Sequence, residues 1–328
     1  MQFSILLAST AFVAATVLAA PYKLSKYSSS GSAAQNVVYW GQNGGGTVEN
    51  NDLATYCDSG SGIDIIVLAF LYQYGNGHLI PSGSIGQSCS ISTSGQPQQC
   101  DALATAIQKC QSNGVKVIMS LGGAIGAYSL SSQQEAETIG QNLWEAVPRP
   151  FGNTFVNGWD FDIEASGGNQ YYQYLISKLR SNFASDSLHT YYITGAPQCP
   201  IPEPNMQTIV TKSQFDYLWV QFYNNPGCSV NGAINYDQWV TNVANTPSAN
   251  AKIFLGVPAS PLGATGTPSG SQYYLQPSAL ASLVSQYKGN SAFGGVMMWS
   301  AGFSDANVNN GCTYAQEAKR ILSTGSPC

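Results

Sequence analysis

The repeat of strand and helix narrows the fold more than any other feature of this chain. Apolar, β-branched runs of strand length recur: NVVYW (36–40), IDIIVLAF (63–70), VKVIMSL (115–121), GWDFDIE (158–164), TYYITGA (190–196), YLWVQFY (217–223), KIFLGVP (252–258) and GGVMMWS (294–300). Between them lie stretches of helical periodicity, among them DALATAIQKCQSN, SQQEAETIGQNLWEAV, NQYYQYLISKLRSNF and SALASLVSQYK. Nearly continuous apolar strands fit a parallel sheet covered by helices, and eight such units fit a closed barrel better than an open doubly wound sheet. The expected architecture is therefore α/β, a single-domain (β/α)8 TIM barrel over residues 36–328. The open alternative lacks its phosphate loop: WGQNGGGTVEN follows a strand but has neither a G-x-G-x-x-G frame nor a lysine.

Residues 1–19 have the layout of a secretory signal peptide, an apolar stretch from Phe3 to Val17 followed by small residues, with cleavage expected near Ala19. No Lys or Arg precedes the apolar stretch, so an uncleaved anchor is the alternative, although the run is short for a bilayer span. Residues 20–35, including the Ser-rich KYSSSGSAAQ, read as a disordered lead-in. Eight cysteines without C-x-x-C spacing, and only two histidines, disfavour a zinc site and favour disulfides in an oxidising compartment. Spacing alone leaves about 105 pairings open. The expectation is a secreted, extracellular protein, cell-wall association left open, with no membrane association after processing. A formal net charge of -5 argues against nucleic acid as a partner. A monomer is expected, without cofactor or metal.

The segment NGWDFDIEA (157–165) carries the chemistry. In a chain with 9% charged residues it sets Asp160, Asp162 and Glu164 at alternate positions, interleaved with Trp159, Phe161 and Ile163. On a strand, residues two apart share a face, so the three acids form one row and the apolar residues the other. A half-exposed antiparallel strand would show the same alternation. In a parallel barrel the apolar row must meet the helices, which sends the acids inside, where unshielded charges cost several kcal/mol each. Active sites of such barrels sit at the C-terminal ends of the strands, which makes Glu164, nearest the rim, the natural general acid. Asp162 beside it is expected to help keep it protonated, and Asp160 and Asp162 to titrate as a coupled unit. Two carboxyls on one wall cannot flank a glycosidic bond as ordinary retaining or inverting pairs do, so the nucleophile must come from elsewhere, the substrate's own 2-acetamido oxygen being a candidate. Clustered carboxylates also suit a divalent ion, but nothing else in the sequence completes such a site.

With these motifs assembled, the chain resembles glycoside hydrolase family 18, in particular the chitinases of the plant and fungal class III type. Residues 157–164 resemble the family's D-G-x-D-x-D-x-E signature, with Asn157 where the first Asp usually stands. YWGQNGGG, AFLYQYGNG, SLGG, APQCP, WVQFYNNPGC, IFLGVPA and GGVMMWS resemble the other strands and rims in order. The resemblance implies a secreted endochitinase that hydrolyses β-1,4 bonds of N-acetylglucosamine polymers by a substrate-assisted retaining mechanism. In it Glu164 protonates the leaving oxygen and later activates water, Asp162 orients the acetamido nitrogen and Tyr223 donates to the acetamido oxygen, with Asp160 carried over among the catalytic residues of the signature. It further implies substrate contacts at Tyr39, Gln42, Gly122, Gly123, Gln221 and Trp299, and cis peptides at Ala69-Phe70 and Trp299-Ser300. The implied disulfides are Cys57 with Cys110, Cys89 with Cys100 and Cys199 with Cys228, which leaves Cys312 with Cys328. Asn157, off the parity of the acidic row, is expected to affect strand support or proton relay more than bond cleavage. The competing reading is a non-catalytic chitin-binding lectin or enzyme inhibitor on the same barrel; such relatives typically lose the acid or its partners, whereas Glu164, Asp162 and Tyr223 all stand here.

Overall fold

The computed structural model describes residues 34–146, 151 and 154–328, the compact unit being Ala34–Cys328. The expected leader and most of the lead-in lie outside the described residues. Gln35, assigned to the lead-in, already opens the first strand.

Eight parallel strands close on themselves: β1 (Gln35–Trp40), β2 (Ile65–Gly75), β3 (Lys116–Gly122), β4 (Gly158–Asp162), β5 (Tyr192–Gly195), β6 (Tyr217–Gln221), β7 (Lys252–Pro258) and β8 (Phe293–Trp299). Each pairs with the next, and β1 pairs with both β2 and β8, which completes the ring. Helices alternate with the strands: α1 (Asp101–Ser112), α2 (Gln133–Ala146), α3 (Tyr172–Phe183), α4 (Gln207–Lys212), α5 (Tyr236–Val243), α6 (Pro277–Tyr287), α7 (Ala301–Asp305) and α8 (Tyr314–Thr324). A short 3-10 helix, Leu53–Cys57, stands in the place of a helix after β1. The chain is thus a (β/α)8 barrel, as the alternation predicts. Local signals agree with its boundaries. Pro277 opens α6, where a missing N–H costs nothing, and Thr313 forms a capping box with Gln316 at the start of α8.

Side-chain parity sorts the core into two layers. Val37, Tyr39, Val67, Ile118, Trp219, Phe254 and Met297 pack inside the barrel. Val38, Trp40, Met119, Trp159, Phe161 and Ile163 belong to the larger layer between barrel and helices. Full burial of a side chain such as Phe161 contributes roughly 1.5–3 kcal/mol, so slipping β4 by one residue would both expose that energy and reverse the acidic row. The alternation along β4 therefore fixes its register.

Beyond the ring, β2 continues past the barrel into an antiparallel extension through His78–Ile85, Cys89–Ile91 and Pro97–Gln98. The reversal occurs at Asn76 and Gly77, with φ of 50° and 92°. Asn-Gly is the strongest short hairpin signal in a sequence, and here it turns the chain back along β2. Four disulfides join Cys57 to Cys110, Cys89 to Cys100, Cys199 to Cys228 and Cys312 to Cys328, the set implied by resemblance. The peptides Ala69-Phe70 and Trp299-Ser300 are cis, with a third cis bond at Ile201-Pro202.

Candidate active site

The acidic row points into the barrel and is held rung by rung. Asp160, fully buried, accepts four hydrogen bonds from four different strands. Thr194 Oγ1 and Trp219 Nε1 donate to Oδ1 at 2.7 and 2.8 Å, while Tyr39 Oη and Ser120 Oγ donate to Oδ2 at 2.7 and 2.6 Å. Four donors fill the lone-pair directions of an ionised carboxylate. Burial raises the Asp160 carboxyl above its ordinary range, and the four donors oppose that rise without cancelling it. Asp160 is thus held as a fixed post at the barrel's centre, and its charge is one of those that raise Asp162.

One rung higher, Asp162 Oδ1 accepts Gln221 Nε2 at 3.0 Å, and the same amide nitrogen donates to the Ala196 carbonyl at 2.9 Å. Trp219, Gln221 and Tyr223 alternate along and just beyond β6, so that strand addresses β4 step by step: the indole meets Asp160, the amide meets Asp162, and Tyr223 lines the cavity with Glu164. Burial, reinforced by Glu164, Asp160 and Glu203, pushes Asp162 well above the usual carboxylate range, with Gln221 opposing. Glu164 rises too, through burial and Glu203, while the Gln198 amide, 3.5 Å from its Oε2, lowers it. Both carboxyls of the pair are thus pushed upward, burial being the largest cause for each, which is the direction a retained proton near the leaving oxygen requires. Burial, then Asp162 and Glu164, likewise raise the Tyr223 hydroxyl, which keeps its proton and remains a donor.

Above these rungs opens a cavity of about 150 Å³ lined by Asp162, Glu164, Tyr223, Gln221, Phe70 and Trp299, with Tyr39, Met297 and Ala196 among the remaining wall residues. Trp299 packs near-parallel to Phe70 at 5.9 Å and against Tyr39 at 5.6 Å, giving an aromatic wall beside the acids. Two carboxyls line the cavity, both from the end of β4, and no lysine or arginine does so among the described residues. Nor, among the described residues, does any group of three or more His, Cys, Asp or Glu side chains stand ready to hold a metal ion.

Not every expected contact faces this cavity. Gln42 turns its amide to the carbonyls of Ala69 and Ser84, at 3.2 and 3.4 Å, so it braces the rim between β1 and β2. Gly122 and Gly123 serve the backbone of β4. Gly122 has φ of 107°, a Cβ there would come 2.1 Å from the Asp162 carbonyl oxygen, and the Gly123 N–H donates to that oxygen at 2.7 Å. Asn157 lies at the opposite end of β4, where its Oδ1 accepts from the Val117 N–H at 2.9 Å and Gln111 Nε2 at 3.2 Å. That is strand support, and an aspartate could accept the same bonds; nothing in the structure explains why the amide is used.

Sequence reasoning did not single out Trp219, Ser120, Thr194, Gln198, Glu203 or Phe70. Trp219 was within reach, since it shares parity with Gln221 and Tyr223. Ser120 and Thr194 face Asp160 across β3 and β5, a register visible only once the strands are paired.

The comparisons with known proteins bear on this arrangement directly. The model of the glycosyl hydrolases family 18 matches residues 35–278, a span holding every residue named in the site except Met297 and Trp299. Endochitinase 2 of Metarhizium robertsii is 65% identical over 312 residues, covering 90% of this chain and 74% of that protein. Among solved structures, the ICChI chitinase of Ipomoea carnea superposes with a TM-score of 0.69 at 32% identity, covering 87% of this chain and 98% of that one. The xylanase and alpha-amylase inhibitor XAIP-II of Scadoxus multiflorus superposes with a TM-score of 0.68 at 30% identity, covering 89% and 99%. Since the family match covers β1 to β7 and takes in the whole acidic strand, the chain belongs to the glycosyl hydrolases of family 18.

Proposed function

We propose that the protein is an endo-acting chitinase that cleaves internal β-1,4 bonds of N-acetylglucosamine polymers with retention of configuration, the nucleophile being the substrate's own acetamido oxygen. One observation carries the reading: both cavity carboxyls come from the same strand end, and the opposite wall offers a tyrosine hydroxyl. A protein carboxylate attacking from the far face of the sugar has no source among the lining residues, whereas a substrate acetamido group would lie between Asp162 and Tyr223.

In the first step the acetamido oxygen attacks C1, the C1–O bond breaks, and Glu164 gives its proton to the departing oxygen. The Tyr223 hydroxyl donates to the attacking oxygen, while Asp162 accepts the acetamido N–H. Positive charge developing on that group supplies the counter-charge that Asp162's buried surroundings lack, so the interaction strengthens in the transition state. In the second step water attacks C1, Glu164 takes its proton, and the acetamido group is restored with the β configuration. The aromatic wall of Trp299, Phe70 and Tyr39 suits an uncharged sugar face. Four disulfides support export to an oxidising compartment, which agrees with an extracellular polymer as substrate.

The likeness to an inhibitor of other glycosidases at 30% identity favours a second reading, a binding protein on the same barrel. The intact set of Glu164, Asp162 and Tyr223 around one cavity weighs against it. Soluble chitin oligosaccharides separate the two. The wild type should release β-anomeric products, and Glu164→Gln should abolish turnover while still binding the oligosaccharides. Initial α-anomer would exclude retention through the acetamido group, and binding without hydrolysis by the wild type would establish the second reading.

A further inference from the structure

Glu164 is governed by more than its own strand. Gln198, in the loop after β5, places Nε2 3.5 Å from Glu164 Oε2 and is the one side-chain donor recorded on that carboxyl among the described residues. The direction of its carboxamide follows from its neighbours. Asn225 Nδ2 donates to the Tyr223 carbonyl at 3.2 Å, and a carbonyl can only accept, so Asn225 must present its NH2 group on that side. The same NH2 group meets Gln198 Oε1 at 3.0 Å. Gln198 therefore answers with its oxygen, and its own NH2 group is left facing the acid.

The backbone that carries this pair is fixed as well. The Gln198 N–H donates to Glu203 Oε1 at 3.2 Å, and Gln198 bridges Gln221 at the end of β6. The Asn225 N–H donates to Ser229 Oγ at 3.0 Å, whose hydroxyl returns a bond to the Asn225 carbonyl at 2.6 Å. Cys199, next to Gln198, is bonded to Cys228 on the loop that carries Asn225. A relay thus runs from the Tyr223 carbonyl through Asn225 and Gln198 to Glu164, joining the two walls of the cavity.

We infer that Gln198 is a positioning residue for the acid: held by Asn225, it aims an N–H at Glu164 Oε2, fixes the carboxyl's orientation and favours its ionised form once the proton has been delivered. The inference rests on reading Glu164 as the general acid and base. The groups facing Glu164 are Asp162 on its own strand, Tyr128 from the segment after β3 (whose hydroxyl accepts the Glu164 N–H at 3.0 Å), Glu203 from the loop after β5, and Tyr223 beyond β6. None of them is a cation. Burial and Glu203 both raise the Glu164 carboxyl, and the Gln198 amide opposes them. A carboxyl that must give up a proton in one step and take one in the next needs such a counterweight.

The test compares pH profiles of chitin oligosaccharide hydrolysis by the wild type, Gln198→Leu and the near-isosteric Gln198→Glu. Removing a donor to the charged form raises the acid's pKa, so the alkaline limb of kcat should move up by about 0.5–1 pH unit in Gln198→Leu, and at least as far in Gln198→Glu. KM should change by less than about twofold while kcat falls, the pattern of a transition-state effect. Asn225→Ala, which leaves Gln198 in place but frees its carboxamide, should give part of the same shift. An alkaline limb that stays put in both folded Gln198 variants overturns the inference. A wild type that hydrolyses nothing instead overturns the functional reading. The relay is then judged by carbon NMR titration of the Glu164 carboxyl, where an upward shift in Gln198→Leu supports it and an unchanged titration refutes it.

Discussion

Gly122→Ala tests how the barrel's register holds the acids in place. Gly122 pairs with Asp162 across β3 and β4, and its φ of 107° lies in a region that L residues rarely adopt. An added Cβ would sit 2.1 Å from the Asp162 carbonyl oxygen and 2.9 Å from its carbonyl carbon, both backbone atoms with no rotamer in which to retreat. Restoring ordinary contact requires the two strand ends to part by about 1 Å, since approaches under about 3 Å are repulsive. That movement breaks the 2.7 Å bond from the Gly123 N–H to the same oxygen. Backbone strain of roughly 1–3 kcal/mol and a lost hydrogen bond of about 1 kcal/mol give an expected destabilisation of about 2–4 kcal/mol. Because the displaced residue carries a reacting-site carboxyl, kcat/KM on chitin oligosaccharides should fall by about 100-fold, the effect expected of a 1 Å misplacement. Urea unfolding and initial-rate kinetics on the same preparation supply both numbers. A variant within threefold of wild-type activity and less than about 1 kcal/mol less stable would show that the rim at Gly122 is not the rigid support described.

Two further outcomes follow from buried groups away from the reacting bond. Glu49, buried with Oε1 accepting the Gly41 N–H at 2.9 Å and Oε2 without a hydrogen-bond partner, is pushed up to about 7 by burial, with Asp305 adding to the rise. Its folded-state pKa lies above its unfolded value of 4.5, so its contribution to stability is present below that value and is lost as pH rises toward 7, by about 3 kcal/mol in all. Glu49→Gln should remove this loss in urea titrations at the two ends of that window, and an unchanged pH dependence would sink the assignment. Trp219→Phe deletes one of the four donors on Asp160 and should cost about 1.5–3 kcal/mol in urea unfolding beyond the change in packing. A loss under about 0.5 kcal/mol would mean that the Asp160 cage has slack.

Much of the site was legible because it is local. Asp160, Asp162 and Glu164 share a strand face by their spacing alone, and Gln221 and Tyr223 share another. The roles of Gln42, Gly122 and Gly123 came from resemblance, which locates positions but not directions. In the structure Gln42 binds backbone carbonyls, Gly122 makes room for the Asp162 carbonyl, and the Gly123 N–H donates to it. The upward shift of the acidic pair was legible in part. Adjacency along a strand shows that the groups interact, but burial inside the closed ring and the facing Glu203 come from elsewhere in the fold.

By itself the sequence determined the eightfold alternation, the inward face of the acidic strand and the place of Glu164 at its open end, because the periods of strand and helix are written residue by residue. Only the tertiary structure decided that Tyr39, Ser120, Thr194 and Trp219 would converge on Asp160, and that Gln198 and Asn225 would meet beside Glu164. Those partners lie on separate strands and loops, and closure of the ring with its particular register is what brings them within hydrogen-bonding distance.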